Sequence, residues 1–514
     1  MDDPINLSFS VDGRLVTVPD DGSTLLDVLR GQLGVTSAKD GCSPQGQCGC
    51  CTVLVDGQAR VSCVTPTRRV TGRSVTTLEG LGADEIRAWA DAFCAVGGSQ
   101  CGFCTPGIIV RLSALRVGAL PDNPPNRDRA ARALNAHLCR CTGWQTILDA
   151  WDAYGTDYQV LDSDKAAARA TIEGRTSQIV GPDVALGGGG FAADTAPDGC
   201  LIAVPDRHGG WVVADTLPAA QAAANKVQGR RTTFEVRPPL EAPPGSWDAV
   251  LRTPWVEPAY LETDASWCEP GGRPASPLAN GGAFGAKISS VASDTARHLA
   301  DEYQQPVLVL LSREDTVRTG PKRPPVAGGA TSDGHGVLRV ARTTGIAQAV
   351  AAVAPDLVVE EIDIPGPPTS ADIRAAGWAE ALVLLAGARG TNQPITSPDG
   401  AVASAQVDDG RIEVTVRCGD PLDEVVLRSY CVGAAHMAWS WVTSEALAVD
   451  TDGTPLDLTV RSFGVVRATD TPRIDVNIDP DDRAPTNGSD AVFAAVAAAT
   501  WLHRGAPADL PTGP

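Results

Sequence analysis

Four cysteines crowd into ten positions of the stretch GCSPQGQCGCCTV: Cys42, Cys48, Cys50 and Cys51, with Cys63 twelve positions further on. A second group comes as two close pairs, Cys101 and Cys104 in QCGFCTPG, and Cys139 and Cys141 in LCRCTGW. Thiolates at such spacings hold metal. An iron–sulfur cluster needs four of them converging on two irons, and one class of [2Fe–2S] loop uses C-x4-C-x2-C followed by a distant Cys. Cys48 and Cys51 supply the C-x2-C step, Cys63 the distant ligand and Cys42 the first. Five residues separate Cys42 from Cys48 where the usual spacing has four. Cys50 falls between ligands and is expected to be a packed or free thiol; the rival set Cys42/Cys48/Cys50 needs a C-x1-C step. In the second group each pair precedes a helix start, where backbone N–H dipoles favour thiolate charge. Structural zinc also takes four thiolates with paired spacing, and spacing alone leaves it open.

The remaining composition narrows the setting. Ten of the fourteen cysteines precede residue 142, and the last four, Cys200, Cys268, Cys418 and Cys431, stand singly. That distribution favours metal sites in the first third and buried thiols afterwards, rather than a disulfide scaffold. A net charge of −20, from 42 basic and 62 acidic residues, argues against a nucleic-acid partner. No run of about eighteen apolar residues suggests a membrane span. The acidic, alternating start lacks the character of a signal peptide, so a cytoplasmic protein is expected.

The elements that must position the cysteines can be read in outline. Ile5, Leu7, Phe9 and Val11 alternate as a half-buried strand, Asp12-Gly13 signals a hairpin, and RLVTV returns. STLLDVLRGQLG predicts a helix opened by a Thr24/Asp27 capping box and closed at Gly34. From LGADEIRAWADAF to TILDAWDAYG the chain turns helical, with Ile108, Leu112 and Leu115 on one face and Trp144, Ile147, Leu148 and Trp151 on another. LPDNPPN divides two helix pairs. Residues 158–182 are alanine-rich without clear periodicity and suggest a linker. Beyond them GWVVAD, PVLVLL and RIEVTVRC predict strands, while SDTARHLADEY and SDAVFAAVAAATWLHR predict helices. The expected fold class is α+β and multidomain.

Taken together, GC…CGCCTVLVDGQARVSC and QCGFCTPG…LCRCTGW closely resemble the iron–sulfur module of the xanthine dehydrogenase/aldehyde oxidase family, the molybdenum hydroxylases. The resemblance covers residues 1 to about 155. It implies a β-grasp [2Fe–2S] ferredoxin domain over 1–80, with ligands Cys42, Cys48, Cys51 and Cys63. A four-helix [2Fe–2S] domain over 81–157 follows, with ligands Cys101, Cys104, Cys139 and Cys141. The second cluster would sit nearer molybdenum and the first would pass electrons to FAD. Gln100 matches a family position at the pterin contact.

Residues 183–514 resemble a shortened molybdopterin-binding subunit. NGGAFGAK, with Gly281, Gly282, Phe284 and Gly285, is similar to the family's GGxFGxK loop, in which glycines let backbone N–H groups approach the cofactor. LLSREDTVRTGPKRPPV and the tail around TSEALAV resemble later elements of that subunit. Two departures matter: the region is far shorter than the family's molybdenum subunit, and the stretch APTNGSDAVF carries no Glu where the family has its general base. Asp490 is the only acid there, and capping the helix that follows suits it better than catalysis. No catalytic residue is assigned. The expected function is an iron–sulfur electron-transfer component in the hydroxylation of an aldehyde or N-heterocycle. A partner large subunit would hold molybdopterin and another would hold FAD. The alternatives are a C-terminal region that completes a molybdopterin site with a partner chain, and a non-catalytic iron–sulfur assembly or redox-sensing protein. His137, His436, Trp439 and Trp441 read as packing residues.

Overall fold

The computed structural model describes residues 6–117, 125–156, 162–206, 208–225, 234–278, 280 and 282–513. Its first unit is a five-stranded sheet in the order β2-β1-β5-β3-β4. Strands β1 (Asn6–Val11) and β2 (Arg14–Pro19) form the hairpin that Asp12-Gly13 predicts, with Gly13 at φ +79°. Strand β5 (Ser74–Thr76) runs parallel to β1, and β3 (Thr52–Val55) pairs antiparallel with both β5 and β4 (Gln58–Val61). Phe9, Val11, Val53, Val55 and Val75 are buried, packed in one core with Leu25, Leu26, Val28 and Leu29. The predicted capping box is present: the Thr24 hydroxyl and Asp27 carboxylate close the start of α1 (Leu25–Asp27), which continues as a wider helical turn to Gln32.

Four helices follow: α2 (Ala83–Ala95), α3 (Thr105–Arg116), α4 (Arg127–Ala133) and α5 (Gln145–Ala153). Ile108 and Leu112 of α3 are fully buried, and Trp89, Trp151 and Tyr154 form an aromatic cluster over α2 and α5. LPDNPPN lies largely outside the described residues.

The predicted linker is instead partly helical, and this corrects the sequence reading. Helix α6 (Ser163–Gly174) is capped by Asp162 and buries Arg169 and Glu173, which pair at 2.6 Å. A buried ion pair survives only if its remaining donors and acceptors are met. Arg169 donates to backbone carbonyls of Asp420 and Thr486, and Glu173 accepts from the amides of Gly488 and Ser489. Those partners lie more than 240 residues downstream, so nothing local in the alanine-rich stretch announces them.

The rest is α+β in three further four-stranded sheets. Short helices α7 (Pro182–Ala185) and α8 (Ala192–Thr195) lead to β6 (Leu201–Pro205), β7 (Trp211–Ala214), α9 (Leu217–Ala223), β8 (Ala249–Arg252) and β9 (Ala265–Cys268). Helix α10 (Ala292–Tyr303), β10 (Val307–Leu310), α11 (Arg313–Thr319), β11 (Val326–Ala330), β12 (Gly336–Ala341), α12 (Ile346–Ala351) and β13 (Leu357–Ile362) come next. The chain ends with α13 (Trp378–Arg389), β14 (Ile395–Thr396), β15 (Val402–Asp408), β16 (Arg411–Arg417), α14 (Glu424–Thr443), β17 (Arg473–Ile478) and α15 (Ser489–His503). The sheets run β7-β6-β10-β9, β13-β12-β11-β8 and β14-β15-β16-β17. The first has its own small core with α10; the other two share one continuous core with the cysteine-bearing units. Helix α14 is apolar on most sides, as its central burial requires. Trp441 on it stacks on Phe493 of α15 at 5.6 Å. Among the described residues no helix is long and apolar enough to cross a membrane.

Candidate metal centres

The first cysteine group hangs between α1 and the β3–β4 hairpin. Cys51 leads into β3, and the hairpin returns Cys63 beside it, with the Cys63 amide 3.5 Å from Cys51 Sγ. Cys42 Sγ accepts from the amides of Gln45 (3.2 Å) and Gln47 (3.5 Å), so the loop wraps its first sulfur with N–H dipoles. Cys42 touches Cys48 and Cys63, and Cys63 touches Cys51. All four are buried. Contact with Cys48 and then Cys63 holds the Cys42 thiol well below its usual range and lifts its partners' thiols.

The second group sits where two helices begin. Cys101 and Cys104 precede α3, and Cys139 and Cys141 precede α5. The sulfurs fall into two pairs: Cys101 with Cys141 at 3.7 Å, and Cys104 with Cys139. Cys139 also takes the Thr142 hydroxyl at 3.1 Å, and chiefly the Cys104 contact brings its thiol down to about 6. One zinc ion requires four sulfurs equally around one point; two irons, each held by two thiolates, require sulfurs in pairs. Among the described residues no three His, Cys, Asp or Glu side chains are grouped to hold a single ion. The paired arrangement of the second group fits a [2Fe–2S] cluster, and the first group brings its four thiols together in a continuous run, Cys48–Cys42–Cys63–Cys51, that can hold one as well.

The two groups are in direct backbone contact. The Leu138 amide, one residue before Cys139, donates to the Cys48 carbonyl at 2.9 Å. Gly107 of α3 lies on the carbonyls of Gly49 and Cys50, where a Cβ would be 2.4 Å and 2.8 Å away. The His137 ring lies against Gly49 and reaches Thr52 Oγ1 at 3.2 Å, a packing role as expected. Cys50 occupies the space between the groups, beside Cys48 and within electrostatic reach of Cys139 and Cys104. The additional residue in the Cys42–Cys48 loop has a structural counterpart. Gln45 Nε2 donates to the Leu458 carbonyl at 2.8 Å, Gln45 Oε1 accepts from Val460, and Gln47 Oε1 accepts from Arg461. The longer loop thus clamps onto residues 458–461.

The second group is clamped as well. Arg140, between its last two cysteines, forks onto Glu445 and donates to the Pro258 carbonyl. Gln100 is buried, donating to the Cys141 carbonyl and Ser429 Oγ at 3.0 Å each, with its own Oε1 unpartnered.

The glycine-rich loop does not form the expected cradle. Gly281 lies outside the described residues. Gly282, at φ +84°, presses on the second group: a Cβ there would stand 3.1 Å from Cys101 Sγ and 3.4 Å from Cys141 Sγ. Phe284 lies 4.1 Å beneath the Arg374 guanidinium, and a Cβ on Gly285 would meet the Asp372 carbonyl at 1.8 Å. Lys287 is buried on Glu262 at 2.7 Å. The cavity bounded by Cys101, Cys141, Tyr260, Glu262 and Lys287 measures about 10 Å³, and its neighbour beside Phe284 and Arg374 about 20 Å³. A pterin cofactor needs a few hundred Å³, so the described residues here do not fit one.

Asp490 is likewise committed to structure. It pairs with Arg374 at 3.2 Å and with Arg175, while Asn487 and Glu173 accept the helix-start amides that Asp490 was expected to cap. His436 is fully buried against the Val466 carbonyl, at 3.2 Å.

Comparison with known proteins follows the same division. Residues 77–152 match the [2Fe-2S] binding domain family. The chain is 40% identical over 150 residues to the nicotine 6-hydroxylase small subunit of Paenarthrobacter nicotinovorans, covering 29% of this chain and 88% of that one. It is 46% identical over 129 residues to an aldehyde oxidoreductase of Megalodesulfovibrio gigas, covering 24% of this chain but only 14% of the relative. The chain thus spans a small part of its long relatives. The aldehyde oxidoreductase structure from Desulfovibrio desulfuricans ATCC 27774 superposes with a TM-score of 0.71 at 14% identity, over 99% of both chains, and so shares the fold. With a complete small subunit matched across most of its length, the chain belongs to the xanthine dehydrogenase/aldehyde oxidase family of molybdenum hydroxylases.

Proposed function

We propose that the chain is the iron–sulfur electron-transfer component of a molybdenum hydroxylase. Cys42, Cys48, Cys51 and Cys63 would ligate one [2Fe–2S] cluster, and Cys101, Cys104, Cys139 and Cys141 the other. Each cluster, when bound, supplies a one-electron carrier. The observation that carries this reading is two groups of four buried, mutually contacting cysteines, the second paired as Cys101–Cys141 and Cys104–Cys139, joined by the Leu138–Cys48 hydrogen bond.

The chain's own residues do the rest. Amides of Gln45, Gln47 and Cys63 and the Thr142 hydroxyl point at sulfur, and such donors favour the more negative, reduced state. Burial keeps water off the thiolates. The backbone contact from Cys48 to Leu138 gives a short route between the groups. Molybdopterin and FAD belong to partner subunits in this reading, with the substrate an aldehyde or an N-heterocycle. The second reading, in which residues 183–514 complete a molybdopterin site with a partner chain, finds little room around Gly282 and Phe284. The ferredoxin-like unit would span 1–80 and the helical unit 81–157. Helix α6 then joins them to a C-terminal region that covers and braces both cysteine groups.

Metal analysis of the purified chain tests this. About four irons and four acid-labile sulfides per chain, with two distinct paramagnetic signals after dithionite reduction, are expected. Zinc in stoichiometric amount in place of iron overturns the proposal.

A further inference from the structure

The chain carries a charge of −20, yet the segment that brings Cys63 to the first group is basic. Residues 57–78, GQARVSCVTPTRRVTGRSVTTL, hold Arg60, Arg68, Arg69 and Arg73 and no acid. Arg60, Arg68 and Arg69 are exposed, and among the described residues none of them pairs with a carboxylate. Val64, next to Cys63, is a large apolar side chain left 42% exposed over Gly46 of the Cys42–Cys48 loop.

A second basic element comes from the far end of the chain. Arg461 lies on that loop, its amide on Gln47 Oε1 at 3.1 Å and its Nε on the Gln47 carbonyl at 3.3 Å. It is exposed, without a carboxylate partner among the described residues, and close enough to Cys42 and Cys48 to feel their charge. Arg467, also exposed and unpaired there, repels it. Two guanidiniums held together, beside an exposed valine, on the thin cover of a cysteine group make a local positive surface with an apolar centre, complementary to an acidic one. Asp20 and Asp21 bound the patch on the side where Thr67 bonds to the Ser23 carbonyl.

We infer that this face, centred on Val64 and Arg461, docks a redox protein through an acidic surface. The inference rests on the electron-transfer reading above and adds the chemistry of the partner. One electron would leave the reduced first cluster and reduce a one-electron acceptor in the partner. No bond is made or broken in the chain and no proton is taken from it. Local charge steers the encounter, and the apolar contact of Val64 sets the close approach.

The sign of the salt dependence makes the test sharp. A small plant-type ferredoxin with an acidic surface serves as the probe against the iron-loaded chain, with binding followed by fluorescence anisotropy. Overall charge alone predicts repulsion that salt relieves. The docking face predicts the opposite, a Kd that weakens about tenfold from about 20 to about 200 mM NaCl. Arg461→Glu with Arg467→Glu should weaken binding at low salt by about tenfold or more, and Arg461→Gln with Arg467→Gln by less. Arg14→Glu, on the strand at the opposite edge of the sheet, should change it little. The visible absorbance of each variant shows that its clusters are intact. Absent binding, binding that strengthens with salt, or equal loss in the Arg14 variant overturns the docking face while leaving electron transfer standing. A chain that never takes up iron overturns the electron-transfer reading instead.

Discussion

Arg140 and Glu445 lie 305 residues apart in sequence and meet as a fully buried fork, with Nη1 to Oε1 at 2.6 Å and Nη2 to Oε2 at 2.7 Å. The arginine sits between two cysteines of the second group; the glutamate follows α14 in the C-terminal region. Removing one partner strands the other charge without water, at a cost of about 3–5 kcal/mol. Arg140→Met and Glu445→Gln should each lower the unfolding free energy by that order in denaturant titration. The double change Arg140→Met with Glu445→Leu should recover much of it, because neither charge is then left alone. Single variants no less stable than the parent would show that the fork does not hold the two regions together.

A glycine abuts each cysteine group, and this permits separate disruption of the two. A Cβ on Gly282 would press on Cys101 and Cys141, and a Cβ on Gly41 would stand 3.1 Å from Cys48 Sγ and 3.2 Å from Cys50 Sγ. Gly282→Val should therefore remove the second cluster's paramagnetic signal and Gly41→Val the first's, each lowering iron from about four to about two per chain. Loss of both signals in either variant would mean that the groups do not form independently.

Cys50 is buried beside Cys48, in the space between the two groups. If it is not a ligand, Cys50→Ala removes only one packed sulfur. Iron content and both signals should persist, with a stability loss of about 1 kcal/mol from the small void. Loss of the first signal would instead place Cys50 in the ligand set in place of Cys51.

The cysteine groups were legible because ligation imposes spacing, and spacing is a property of sequence. Strand β16 was legible for a similar reason: Ile412, Val414 and Val416 alternate with exposed neighbours. Helix α6 was not. Its buried face holds Arg169 and Glu173 beside Ala166 and Ala170, and burial of the two charges makes sense only once Gly488 and Ser489 of the distant α15 start are in place. The glycine-rich loop misled in the other direction. Gly282 and Gly285 need their freedom for close approach, as expected, but what approaches is Cys101 and the Asp372 backbone. A glycine pattern reports that something comes near the chain and not what it is.

His436 makes acid stability a measurable consequence of burial. It lies fully buried on α14, and burial first, then the nearby Arg140 charge, pulls its imidazole from the ordinary 6.5 to about 3. The native state therefore keeps it neutral, while the unfolded chain protonates it below about 6.5. The unfolded state binds more protons, so stability falls as pH drops from about 6.5 toward 3. At pH about 4.5, two units below the unfolded value, this one group should remove about 2–3 kcal/mol. His436→Gln keeps a polar group near the Val466 carbonyl but cannot titrate. Its stability deficit relative to the parent should shrink as pH falls from about 7 to about 4.5 in parallel denaturant titrations. A deficit that stays constant over that range would mean that His436 protonates equally in both states, and that its burial is not what sets the acid limit.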